Sequence, residues 1–171
     1  TVQDFPGRLG YWAVGVPPSG PMDSRALRLG NALLGNPEDA AGLEITMSGP
    51  ILRFNTDAVV ALTGAAIPVK LDDVEQPMCT AIFVPAGRTL TIGTIAGAGA
   101  RSYLAVRGGV QVPEYLGSKS TFTLGEFGGH GGRALRAGDV LHLAELVDDS
   151  HGASLPPELR TELPAVRQIG R

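Results

Sequence analysis

Only one stretch of this chain carries a convincing helical period, and that limits what the remainder can become. Ala26, Leu27, Leu29, Leu33 and Leu34 recur at helical spacing. Asp23 or Ser24 stands where an N-cap would accept from the free N–H groups of a first turn, and Gly35 follows as a C′ residue. Asn36-Pro37 predicts a short second helix, with Asn as its cap and Pro at its first position. Leu43, Ile45 and Met47 then alternate with Glu44 and Thr46, the period of a strand with one buried face. From there on, strand-like segments come at intervals of roughly ten residues, the spacing of an all-β barrel or sandwich. They are Ile51–Phe54, Ala58–Leu62, Val69–Leu71, Thr80–Val84, Thr89–Ile92, Arg101–Val106 and Val140–Leu143. With 24 glycines and 13 prolines to make the turns, the expected class is mainly β, with one main helix and a short second one near the N-terminus.

Charge and cysteine usage remove several functions. The net charge is −3 and no Lys/Arg cluster occurs, so the chain lacks the footprint of a nucleic-acid binder. No apolar run reaches membrane-spanning length. Cys79 is the only cysteine, which rules out an internal disulfide or a cysteine zinc cage, and a reducing cytoplasm fits. Cys79 itself reads as a core residue, and no metal-ligand spacing links His142 and His151. At 171 residues the chain can form one domain with a real core, expected over residues 1–143. Residues 144–171 read as a linker and the start of something further. The chain opens at Thr1 inside strand-like sequence, as a fragment, a trimmed product or part of a longer protein would.

Several turns stand out. Val84-Pro85-Ala86-Gly87-Arg88-Thr89-Leu90 and Leu135-Arg136-Ala137-Gly138-Asp139-Val140-Leu141 reuse one hairpin solution, and Arg107-Gly108-Gly109-Val110 is another hairpin turn. Trp12 is expected to pack the following loop against the core, and Thr94–Gly99 is flexible by composition.

Two loops carry the candidate chemistry. In Val16-Pro17-Pro18-Ser19-Gly20-Pro21-Met22-Asp23 the prolines fix φ and the glycine allows angles closed to other residues. Such a loop can present Ser19 and Asp23 rigidly to a substrate, or simply use Ser19 to turn and Asp23 to cap. Ser19 is not in a nucleophile elbow. The second loop is Gly128-Gly129-His130-Gly131-Gly132-Arg133. It lacks the Gly-Lys-Ser/Thr of a nucleotide P-loop. Its glycines would let backbone N–H groups approach an oxyanion beside His130 and Arg133; the alternative is a mobile hairpin tip. Asp4, Arg8 and Glu44 flank apolar elements, and a buried Asp4–Arg8 pair tying the first turn to the helix is the expected arrangement. No catalytic residue and no metal ligand can be assigned.

These residues also carry a resemblance. Thr1-Val2-Gln3-Asp4 with Gly7-Arg8, Gly15-Val16-Pro17, Ser19-Gly20-Pro21-Met22-Asp23, Ala26-Leu27-Arg28-Leu29 with Asn31, and Leu34-Gly35-Asn36 are similar to motifs of the allophanate hydrolase subunit 2 family. Glu44, Gly49-Pro50, Arg107-Gly108-Gly109, Gly128-Gly129-His130 and Gly132-Arg133 continue the match. That family includes the KipA proteins, one of the subunits of bacterial 5-oxoprolinase and part of the carboxyltransferase domain of urea carboxylase. Glu126 and Gly131 depart from its pattern, which has a glycine and often a glutamate there, and family members carry a second barrel-like half.

The resemblance implies a cyclophilin-like β-barrel and a KipI-like (allophanate hydrolase subunit 1) partner, with the reaction site where the two meet. It implies a substrate-handling subunit of an ATP-linked hydrolase or carboxylase acting on cyclic or urea-type C–N bonds, inactive alone. Ser19, Gly20, Met22, Asp23, Gly128, Gly129, His130 and Arg133 would then hold a urea- or lactam-like substrate. The chain is expected to bind no cofactor itself, since it has neither a biotin-attachment Ala-Met-Lys-Met nor an ATP motif. ATP, and biotin where used, would belong to the rest of the complex. A KipA-like, non-catalytic regulator binding a KipI-like kinase inhibitor is the rival reading; a prolyl isomerase, suggested by the barrel alone, is discounted.

Overall fold

The computed structural model describes residues 1–144. From residue 145 onward, the expected linker and second-half segment lie outside the described residues, as does His151. Among the described residues the fold is mainly β with one α-helix. In chain order the strands are β1 (Val2–Gln3), β2 (Gly42–Thr46), β3 (Ile51–Arg53), β4 (Ala58–Gly64), β5 (Val69–Leu71) and β6 (Val74–Glu75). They continue with β7 (Ile82–Val84), β8 (Thr89–Ile92), β9 (Arg101–Val106), β10 (Val110–Gln111) and β11 (His142–Leu143). Helix α1 (Ser24–Leu33) and a short 3-10 turn at Trp12–Val14 complete the set.

The strands form three antiparallel sheets, ordered β1-β2-β9-β4-β7, β3-β8-β5-β6 and β10-β11. Among the described residues no ladder joins the two larger sheets into the closed barrel that the resemblance implies. They are coupled instead by a shared core. Val2, Leu43, Ile45, Val60, Leu62, Leu104 and Val106 of the five-stranded sheet meet Val69, Leu90 and Ile92 of the four-stranded one. The other face of the large sheet is covered by α1, where Ala26 and Leu27 pack with Tyr103, and Leu34 with Ala61 and Ala105. Strands β4 and β9 are therefore buried on both faces, which is why Ala-Val-Val-Ala-Leu and Tyr-Leu-Ala-Val read as continuous apolar runs instead of alternating.

The helix forms where its period predicts, capped by the Asp23 side chain, which accepts from the Ala26 N–H at 3.1 Å. Its buried stripe is Ala26, Leu27, Gly30, Asn31 and Leu34, while Leu29 faces solvent. The Thr63 hydroxyl donates to the Ala26 carbonyl at 2.7 Å, and Gly30 lets the helix settle close to Ala105 and Thr63.

The second helix does not form. Asn36 is drawn away from capping: its amide donates to the Val106 carbonyl at 2.8 Å and to Asn31, and its oxygen accepts from the Gly108 N–H. Buried Asn31 meanwhile donates to the Ala40 carbonyl at 2.8 Å. The segment closes as a single turn, Ala40 N–H to the Pro37 carbonyl.

The two Ala-Gly turns do share a geometry, with Arg88 N–H donating to Pro85 O and Asp139 N–H to Arg136 O, and positive φ at Gly87 and Gly138. The first is a corner and not a hairpin, because β7 and β8 belong to different sheets. The turn at Arg107–Val110 is likewise a corner, leading from β9 to β10. Trp12 is 73% exposed and does not pack the loop down, since the 3-10 turn projects it outward. Cys79 is exposed as well: it sits in a left-handed turn after Pro77-Met78, outside β7.

Candidate functional site

The first turn, Asp4 to Arg8, is the floor of the candidate site. Asp4 accepts from the Ser118 and Ser120 hydroxyls at 2.6 and 2.5 Å and from the Lys119 N–H at 2.8 Å. Arg8 has no exposed surface; its guanidinium donates to the Tyr115 and Ser120 carbonyls, both at 2.9 Å, and lies over the Phe127 ring. The expected Asp4–Arg8 ion pair tied to the helix is not what forms. Both side chains reach the Tyr115–Ser120 segment, where backbone carbonyls accept from Nε and Nη2 of the cation, leaving Nη1 without a partner, and hydroxyls donate to the anion.

The proline loop stands on one side of this turn. Gly7 and Gly20 meet backbone to backbone: a Cβ on Gly7 would lie 2.7 Å from the Pro18 carbonyl oxygen and 3.0 Å from the Gly20 Cα. The Arg8 N–H donates to that same Pro18 carbonyl. Deeper down, the Met22 N–H donates to Glu44 Oε2 at 2.8 Å and the Asp23 N–H to the Tyr103 hydroxyl oxygen at 2.7 Å. The Tyr103 O–H in turn donates to Glu44 Oε2 at 2.8 Å. Burial first, and then the hydrogen bond to Glu44 and its charge, push the Tyr103 phenol above its ordinary pKa against the opposing Asp23 N–H bond, so it stays a donor. Asp23 fills the cap role weighed from sequence and is itself exposed. Ser19 holds a left-handed φ of 55°, and its Oγ is buried with no hydrogen-bond partner among the described residues.

On the other side stands the glycine loop. Gly128 lies against the Ser120 carbonyl and the Arg8 guanidinium, and Gly129 against Thr121. Gly129 N–H donates to the Lys119 carbonyl and Gly132 N–H to that of Gly128. The loop is thus a packed turn and not a free tip. Arg133 is occupied: its Nη1 and Nη2 donate to Asp139 at 2.7 and 2.8 Å in a two-bonded fork. The Arg136 N–H also donates to Asp139, and His130 Nε2 lies 3.6 Å from it. Arg133 foremost holds the Asp139 carboxyl well below the usual range. An open cleft of about 400 Å³ borders the loop, lined by Thr123, Glu126, Gly131, Gly132, Arg133 and Arg136. A second, of about 410 Å³ beside Asp57, Arg107 and Leu143, includes none of the candidate residues.

The structure brings both loops onto one buried turn but places no hydrogen bond between Ser19 or Asp23 and His130 or Arg133. Sequence reasoning missed Tyr103 and Asp139. The first was findable as the ladder partner of Glu44, once β2 and β9 are paired; nothing local marks the second. Among the described residues there is no group of three or more His, Cys, Asp or Glu able to hold a metal, and no helix long and apolar enough to cross a membrane. The assembled chemistry of the two loops is that of holding: fixed backbone, an unpaired hydroxyl, an exposed carboxylate and a histidine, while the serine hydroxyls bonded to a carboxylate, Ser118 and Ser120 on Asp4, are buried beneath the surface.

Residues 14–170 match the family model described as carboxyltransferase domain, subdomain A and B. The chain is 45% identical over 163 residues to a urea amidolyase of Saccharomyces cerevisiae, covering 95% of this chain and 9% of that protein. It is 41% identical to a 5-oxoprolinase subunit of Escherichia coli, covering 88% of this chain and 48% of the other. The fold superposes on the Kluyveromyces lactis urea carboxylase with a TM-score of 0.81 at 50% identity, covering 83% of this chain and 12% of that one. The chain therefore spans about half the length of the 5-oxoprolinase relative and about a tenth of the urea amidolyase. By this match over most of its length, the chain belongs to the carboxyltransferase domain A and B family.

Proposed function

We propose that this chain is the substrate-handling part of an ATP-linked hydrolase or carboxylase complex acting on urea-type or cyclic amide C–N bonds. One observation carries the reading. The Met22 and Asp23 N–H groups are anchored on Glu44 and Tyr103 of the central sheet, which fixes a loop whose Ser19 hydroxyl is buried and unpaired. A preset polar group without a partner suits a small hydrogen-bonding ligand and discriminates against analogues that cannot satisfy it. Relatives named as a urea amidolyase and as a 5-oxoprolinase subunit support the reaction class.

In this reading Ser19 and Asp23 hold the substrate from one side of the first turn, and His130 from the other. Arg133 contributes through Asp139 by fixing the glycine loop. A subunit 1 (KipI-like) partner completes the site, and ATP, with biotin where carboxyl transfer is needed, is handled by other parts of the assembly.

The test is to co-express the full-length gene with a subunit 1 homologue and follow ATP hydrolysis with 5-oxoproline, then with urea. ATP turnover that depends on one of them is the expected result, reduced at least about tenfold by His130→Ala. A stable complex with no turnover on either compound overturns the reading and favours a regulator.

A further inference from the structure

Two consecutive backbone N–H groups of the proline loop end on two side chains of the central sheet. Glu44 on β2 and Tyr103 on β9 are direct ladder partners. Their side chains meet beneath the loop, with the tyrosine O–H donating to Glu44 Oε2 at 2.8 Å. That oxygen also accepts from Met22, while the phenol oxygen accepts from Asp23. A phenol has one proton, so its donation to Glu44 aims the remaining lone pair at the Asp23 N–H. The pair therefore sets both the height of the loop and its register. Arg101 Nε lies 3.5 Å from the other Glu44 oxygen without hydrogen-bonding geometry, and so balances the carboxylate without steering it.

We propose that Glu44 and Tyr103 are positioning residues, aligning Ser19 and Asp23 for substrate, with Glu44 serving as a hydrogen-bond acceptor and not as a charge or proton carrier. The inference rests on the substrate-handling reading above. Glutamine in place of Glu44 retains an oxygen able to accept from both Met22 and Tyr103. Phenylalanine in place of Tyr103 keeps the ring but removes the acceptor for Asp23.

The experiment compares Glu44→Gln, Glu44→Ala and Tyr103→Phe in the assembled complex, and measures amide hydrogen exchange in the full chain. Glu44→Gln should keep kcat/KM within about threefold with an unchanged pH profile, while Glu44→Ala and Tyr103→Phe should lose about tenfold or more, chiefly through KM. Tyr103→Phe should speed exchange at Asp23 by about tenfold, and Glu44→Ala at Met22 as well. A Gln variant as damaged as the Ala variant, or a shifted pH profile, overturns the acceptor role. Unchanged Asp23 exchange and KM in Tyr103→Phe overturns the positioning role. An inactive wild-type complex sinks the substrate-handling reading instead, and amide exchange alone then decides whether the pair fixes the loop.

Discussion

The proline loop and the glycine loop share one buried turn, yet different physics holds them. The proline loop hangs from the central sheet: its N–H groups end on a phenol and a carboxylate beneath it, and Gly7 and Gly20 press its backbone onto the first turn. The glycine loop is pinned by a part-buried Asp139–Arg133 fork, and seated from below by glycines packed against Ser120, Thr121 and Glu126. Hydrogen bonds that share a carboxylate and a phenol are coupled, and losing either acceptor leaves a backbone N–H unpaired. An ion pair, by contrast, responds to acid through its carboxylate. The Ser19–Asp23 half of the site is therefore tied to the central sheet, and the His130 half to packed glycines and an ion pair that acid can open.

The largest predicted effect attacks the glycine loop through its backbone. Gly132 has a φ of 69°, and a Cβ there would collide with the Glu126 carbonyl and the Phe127 nitrogen. Gly132→Ala should destabilise the protein by about 2–4 kcal/mol in denaturant titration. Amide exchange should speed up around residues 126–133 and leave Met22 and Asp23 protected. Loss of protection at Met22 would mean that the two loops are one unit. Next, Asp23→Ala removes the helix cap and should cost about 1 kcal/mol by thermal melting, while Asp23→Asn, which still caps, should cost much less.

The smallest effect is a pH dependence confined to the glycine loop. Arg133 depresses the Asp139 pKa, so the native state binds fewer protons there than the unfolded chain does. Its stabilisation is then fully present above about pH 4, the ordinary Asp range, and is lost as pH falls through the folded-state value. Melting curves from neutral to acid pH should fall less steeply for Asp139→Asn than for wild type. Equal slopes would show that the fork contributes nothing measurable.

Much of the fold was legible because its signals are local. The helix showed in the spacing of Ala26, Leu27 and Leu34 and in its Asp23 cap; Val69–Leu71, Thr89–Ile92 and Arg101–Val106 formed as strands with the expected ends. What failed depended on partners far along the chain. Asn36 has the sequence of a cap but is claimed by Val106 and Gly108, and Asp4 and Arg8 suggest a pair but are each better served by the Tyr115–Ser120 segment. Both candidate loops were found from glycine and proline content. Their supports were not: Tyr103 is anonymous until strand register places it opposite Glu44, and Asp139 looked like an ordinary turn residue.

The Arg8 contacts also bear on the order in which the molecule assembles. They join residues separated by 107 and 112 positions, to Tyr115 and Ser120 respectively. Closing a loop of that span loses chain entropy before any contact compensates, so it favours a late step, after β2, β4, β9 and α1 have brought the distant segments near. The walls of both candidate loops would then arise together, as that turn docks. A chain arrested just before this event would have its helix, its central sheet and a near-native circular dichroism spectrum, and neither candidate loop in place.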